Sequence, residues 1–212
     1  MARFRLFAFL VLGLILVGGA GWAWWNFDLR WQPKTIDKHA TEIAQMLEKE
    51  AGWVSPGLKG GKLYMVSFRT CPDCIRFREE QFPDLHKAGV DTRVIEIARR
   101  DVNGQAKSTP AERSTVAELW LNRSWPLLER WEAVPPTAWT APGIPPADGD
   151  VARTAVVEAG RNFVDEIAPL LKDNGVDFAY PLLVWWDKDG RMRACACEKR
   201  ETYRFVRREL GV

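Results

Sequence analysis

The stretch Lys62-Leu-Tyr-Met-Val-Ser-Phe-Arg-Thr-Cys71-Pro-Asp-Cys74 constrains the fold more than any other part of the chain. Leu63 to Phe68 is a short, largely apolar run, the pattern of a buried strand. It leads straight into a Cys-x-x-Cys pair that opens a helix. Unpaired N–H groups give a helix start partial positive charge, which favours a thiolate there. Only the thiolate attacks a disulfide, so Cys71 is the expected nucleophile, and Cys74, one turn on, is placed to resolve the mixed disulfide. Taken alone, the spacing also fits a structural disulfide or half of a metal site.

Met1-Ala-Arg3-Phe-Arg5 carries two positive charges, and Leu6 to Phe27 carries none. Leu6 to Trp25 is twenty residues, enough to cross a hydrocarbon core of about 30 Å. Trp22, Trp24 and Trp25 stand at its far end, where an aromatic belt meets the headgroups. Arg3 and Arg5 predict a cytoplasmic N-terminus, with everything after residue 27 on the outer side. Residues 1–27 therefore read as a membrane anchor. The other reading is a signal peptide, with Leu6 to Val17 as its apolar region and Gly18-Gly-Ala20 as its cleavage site, although the apolar run continues past that site. Both export the rest, roughly 185 residues, which suits one domain with a proper core. Four cysteines fit oxidising surroundings, and a net charge of +2 with mixed signs gives no nucleic-acid footprint.

Ile36, Ala40, Ile43 and Leu47 recur on one helical face, so Pro33 to Glu50 reads as one helix within a helical linker at 28–60, broken by Gly57 to Gly61. The helix from Cys71 should run to about Lys87 with a kink at Pro83, and Thr92 to Ala98 alternates as a second strand. Strand, helix and strand with a short return predict a parallel pair. A helical insertion follows, at about 101–177. Thr109-Pro110-Ala-Glu112 starts one helix, and Trp125 to Trp131 forms a shorter one. Pro135 to Gly149 is an irregular loop. Helix returns from about Arg153 to Lys172 and ends at Asn174-Gly175. Pro181 to Trp186 is then a strand, Asp187 to Gly190 a turn, Arg191 to Cys197 the hairpin partner and Lys199 to Leu210 a closing helix.

This order resembles the thioredoxin superfamily over roughly residues 60 to 210, with Cys71-Pro-Asp-Cys74 and Tyr180-Pro181 as its most specific marks. The long insertion is similar to that of the bacterial periplasmic disulfide oxidases and isomerases. Thr70 before the first cysteine, and a lid containing Trp120, are similar to the isomerase branch. The resemblance implies an α/β, thioredoxin-like domain at 61–212 with a helical insertion, here preceded by the one N-terminal transmembrane helix read from residues 1–27. It implies a thiol–disulfide oxidoreductase whose redox-active Cys71–Cys74 disulfide needs no other cofactor. Pro181 would be cis and, with Tyr180 and Thr70, would leave backbone free to pair with an extended substrate. The implied partners are protein thiols and disulfides and a membrane electron-transfer protein. Together with the anchor at 1–27, the resemblance places the chain in the inner membrane of a Gram-negative bacterium, single-pass, with the catalytic domain in the periplasm. Two departures stand out. Met65 replaces the buried acid that plain thioredoxins keep six residues before the first cysteine, so Cys74 needs water or another group for proton transfer. Residues 28–60 are too short for the dimerisation domain that the isomerases carry.

Cys195 and Cys197 share one strand face. They read as two small buried hydrophobes, as an auxiliary redox pair or as ligands. An extended Cys-x-Cys sits near the upper limit of disulfide geometry, so a mutual bond needs local distortion. In the family's hairpin the second strand runs back toward the active site, which would bring Cys197 near Pro181. His39 and His86 read as surface residues and no metal site is expected. The rival reading is a thioredoxin-fold metallochaperone or assembly factor holding copper or zinc through its cysteines. Asp73 should disfavour the Cys71 thiolate, while Arg69 and Arg76 should favour it. Trp120, Trp125, Trp131 and Trp139 cluster in the insertion and read mainly as packing for the lid.

Overall fold

The computed structural model describes the backbone of residues 2–212, and side chains from 13 onward except at 15. Five strands form one sheet in the order β1-β5-β4-β2-β3. These are β1 (Lys34–Thr35), β2 (Lys62–Ser67), β3 (Asp91–Glu96), β4 (Leu182–Trp186) and β5 (Met192–Ala196). The expected parallel pair is β2 with β3, and β4 runs antiparallel to both β2 and β5. The crossover between β2 and β3 is α3 (Pro72–Lys87), which carries Pro83 within it, and α7 (Arg200–Leu210) closes the chain.

Strand alternation sorts the core into two layers. Leu63, Met65, Val94, Leu183, Trp185 and Cys195 face one side, where Phe77, Leu85, Tyr203 and Val206 of α3 and α7 cover them. Tyr64, Val66, Ile95, Leu182, Val184 and Ala194 face the other, against Phe163, Ile167 and Leu171 of α6 (Val151–Lys172).

The insertion supplies α4 (Pro110–Asn122), α5 (Trp125–Glu132) and α6. A reciprocal cap opens α4: Glu112 N–H donates to Thr109 Oγ1 at 3.1 Å and Thr109 N–H to Glu112 Oε2 at 2.7 Å. Trp120 seats α4 on the sheet edge. Its Nε1 donates to Glu96 O at 2.9 Å, and its ring lies so close to the backbone that a Cβ at Gly52 would collide with it. Trp131 and Trp139 are buried as well, so these lid tryptophans serve packing as expected.

Between Pro33 and Glu50 the structure departs from the single helix expected. Lys34 and Thr35 pair with Ala194 and Arg193, and helix α2 begins only at Ala40, running to Gln45 with a wider turn through Glu50. The cause is a distant side chain: Asn174 Oδ1 accepts from the N–H groups of Asp37 and Lys38 at 3.0 and 2.9 Å, which holds the chain out of helix. His39 then takes a left-handed conformation as the helix cap.

Helix α1 spans Ala2–Phe27. The expected membrane span, Leu6 to Trp25, falls for much of its length on side chains outside the described residues, as do Arg3 and Arg5. Among the described residues no helix is long and apolar enough to cross a membrane.

Candidate active site

Cys71 caps the N-terminus of α3. Its N–H donates to Phe68 O at 3.0 Å, and its Sγ accepts the Cys74 N–H at 3.1 Å. The cap fixes the sulfur over the first turn, where unpaired N–H groups point outward. Cys71 and Cys74 are joined as a disulfide with Cα atoms 5.2 Å apart, and both are buried.

The walls come from three loops. Tyr180-Pro181 is a cis peptide, as expected for this position. The Tyr180 ring meets Phe68 edge-on at 5.0 Å and Phe178 at 5.1 Å. Burial pushes the Tyr180 hydroxyl up to about 12, so it stays a neutral phenol at working pH. Thr70 is exposed, with its Oγ1 accepting from Arg99 Nη2 at 3.4 Å. The Arg99 guanidinium stacks 3.9 Å over Phe68, a cation not anticipated beside the site.

The charges next to the pair are tied down. Asp73 Oδ1 lies 2.6 Å from Arg76 Nη2, so the acid in the first turn and the base beyond it offset each other. Arg76 Nη2 also donates to Glu198 O at 2.5 Å. Arg69 turns into the lid, donating to Trp131 O at 2.9 Å and to Val134 O.

A buried ionic cluster, missed from sequence, lies one turn beyond Cys74 on the same helix. Arg78 is 2.7 Å from Glu96 Oε1, and Ser67 Oγ donates to that same oxygen at 2.6 Å. Arg78 also comes within 2.7 Å of Glu132 Oε1. Burial, with Glu96 nearby, raises the Glu132 carboxyl to about 7 in spite of Arg78 and Arg69. Two signals pointed here: the four-residue spacing of Cys74 and Arg78, and an acid inside the apolar run Val94-Ile95-Glu96-Ile97.

His39 and His86 lie apart from the cysteines. His39 faces Asp173 at 3.2 Å, and His86 contacts Thr92 Oγ1 at 2.6 Å and the Trp125 ring. Among the described residues no group of three or more His, Cys, Asp or Glu side chains is placed to hold a metal ion. Cys195 and Cys197 form a second disulfide, with Cα atoms 5.2 Å apart. Cys197 N–H donates to Pro181 O at 2.9 Å.

Neither a scan against protein-family models nor a search of curated proteins finds a match. Solved structures do match in shape. BcfH of Salmonella enterica Typhimurium superposes with a TM-score of 0.50 at 14% identity, covering 100% of this chain and 94% of that one. The catalytic domain of Proteus mirabilis ScsC gives 0.47 at 11% identity, covering 81% and 97%. A periplasmic thioredoxin-like protein from Salmonella enterica serovar Typhimurium gives 0.44 at 12%, also covering 81% and 97%. At such identities the likeness is one of fold. The order of elements, the capped Cys-x-x-Cys turn and the cis-proline loop beside it agree with that likeness: this chain has the thioredoxin-like fold.

Proposed function

We propose that the chain is a thiol–disulfide oxidoreductase acting on protein thiols and disulfides. The observation that carries this reading is the Cys71–Cys74 disulfide at the capped start of α3, with the Tyr180-Pro181 loop packed on Phe68 beside it. The Cys74 N–H aimed at Cys71 Sγ is a donor that stabilises negative charge on that sulfur. Cys71 then attacks a substrate disulfide, and Cys74 displaces the substrate by attacking Cys71 Sγ. In the opposite direction a substrate thiolate attacks Cys71 Sγ and Cys74 leaves as a thiolate. A second substrate thiolate then attacks the substrate sulfur of the mixed disulfide, releasing Cys71 as a thiolate and closing the substrate disulfide.

The domain is tethered, in this reading, by residues 1–27 to the inner membrane and faces the periplasm. Supporting the tether are the uncharged run from Leu6 to Phe27 and the exposed Leu14, Leu16, Trp22, Trp24, Trp25 and Phe27 on α1. So large an uncovered apolar surface marks a membrane or protein contact. A membrane electron-transfer partner fits the same arrangement.

The test is equilibration of the full chain in detergent against glutathione, with mass-tagged thiols. Reversible opening of Cys71–Cys74 is expected. A potential near about −120 mV marks a disulfide donor, and one near about −270 mV a reductase. Cys71→Ser should abolish exchange with a protein disulfide, and Cys74→Ser should accumulate mixed disulfides. Full turnover by Cys71→Ser, or a pair that never opens reversibly, overturns the proposal.

A further inference from the structure

Cys195 and Cys197 are built into the same wall as the active-site pair. Register places Cys195 opposite Leu183, which lies opposite Met65, so the three form one row across the sheet on the side covered by α3 and α7. All four cysteines belong to one continuous buried apolar cluster. Backbone and ring contacts tie the second pair to the first. Cys197 N–H bonds to Pro181 O, and Tyr180 packs on Phe68, whose carbonyl holds the Cys71 N–H. On the other flank, Arg76, two residues after Cys74, holds Glu198 O, one residue after Cys197.

The two residues of the second pair differ in outlook. Cys197 is wholly buried on the active-site side, whereas Cys195 is 7% exposed and lines a pocket of about 300 Å³ with Trp31, Lys34, Lys199 and Thr202. A cross-link at a sequence separation of two restricts the unfolded chain very little. Disulfide stabilisation grows with the loop closed, so this bond is a poor staple.

We infer that Cys195–Cys197 is a second redox pair that exchanges two electrons with Cys71–Cys74. The inference rests on the oxidoreductase reading above. When Cys71 and Cys74 are reduced, the Cys71 thiolate attacks Cys197 Sγ. The Cys195–Cys197 bond breaks and its electron pair leaves on Cys195 as a thiolate, which takes up a proton. Cys74, as a thiolate, then attacks Cys71 Sγ, closing Cys71–Cys74 and releasing the Cys197 thiolate. Two thiols are oxidised and one disulfide is reduced, and the reverse sequence runs equally. The outer sulfur, Cys195, then meets an external dithiol or disulfide protein at the pocket, so substrate and redox partner use different surfaces.

The test uses the full chain in detergent. Cys74→Ser frees the Cys71 thiol and leaves the Cys195–Cys197 bond intact. After incubation at mildly alkaline pH, alkylation and peptide mapping should find Cys71 linked to Cys197 with Cys195 alkylated, in a fraction unchanged by dilution of the protein. Cys74→Ser/Cys195→Ser, gently oxidised, should close Cys71–Cys197 within one chain. If Cys74→Ser keeps Cys195–Cys197 closed and Cys71 alkylated throughout, the relay is overturned, whatever the fate of the double variant. Glutathione titration of the wild type in the same preparation separates the two proposals. Reversible opening of Cys71–Cys74 in the wild type, with no Cys71–Cys197 bond in Cys74→Ser, sinks the relay alone, whereas a Cys71–Cys74 pair that never opens sinks the parent reading.

Discussion

On one side of the sheet, Tyr64, Val66, Ile95, Leu182, Val184 and Ala194 meet α6 through Phe163, Ile167 and Leu171. On the other, the same strands present Met65, Leu183, all four cysteines' surroundings and, at the active-site end, Ser67 and Glu96 against Arg78. The first side is apolar where it meets α6, each buried side chain contributing by leaving water, and its ions, Arg93 with Glu48 beside the Tyr64 hydroxyl, sit at a partly exposed margin. The second buries ions that gain in mutual attraction roughly what they lose in hydration. The comparison teaches that the two layers do different jobs. The α6 side supplies stability, and the α3 side spends part of it to hold a reactive pair in a fixed electrostatic setting.

The sharpest way to break that division is Arg78→Ala. It strands Glu96, only 2% exposed, together with Glu132, and should cost about 3–5 kcal/mol. It should also move the Cys71–Cys74 potential, because Arg78 is the cation one turn beyond Cys74. Ile167→Ala is the matched change on the other layer. It removes a fully buried side chain and should cost about 2–5 kcal/mol while leaving the potential where it was. Urea unfolding and glutathione titration of both variants in detergent read the two quantities. A potential shifted equally by Ile167→Ala would dissolve the distinction between the layers.

How much of this was legible in the sequence follows from how local each signal is. Cys71-Pro-Asp-Cys74, the Thr109–Glu112 cap, the Asp187–Gly190 turn and the strand from Leu182 are written within a few residues, and they were read correctly to within a residue or two. The start of α2 was misread because Asn174, 137 positions from Asp37, decides it. The Arg78–Glu96–Glu132 cluster joins three elements, and charged residues on a helix or strand are most often on its wet face. Arg99 over Phe68 depends on where β3 ends relative to β2, a register that no single segment carries. Cys195 and Cys197 read as sharing one strand face, but their mutual bond depends on the contraction of the chain where β5 gives out at Ala196.

The smallest effect expected is also the most diagnostic of the ionic layer. Glu132 titrates at about 7 in the folded protein, raised by burial from its ordinary 4.5. Between those values the native state holds a proton that the unfolded chain has released. Stability contributed by the protonated form is therefore complete below pH 4.5 and is lost as pH rises through 7. The full shift corresponds to about 3 kcal/mol, and the side chain is 27% exposed, so a loss of about 2 kcal/mol is the better expectation. Glu132→Gln keeps the shape and removes the proton, so its unfolding free energy should be flatter over this range than that of the wild type. His86, whose pKa burial lowers, titrates in both proteins and cancels in the difference. Ile167→Ala should retain the wild-type slope. If Glu132→Gln also retains it, the carboxyl is hydrated enough to ionise freely, and the ionic layer ends at Arg78 and Glu96.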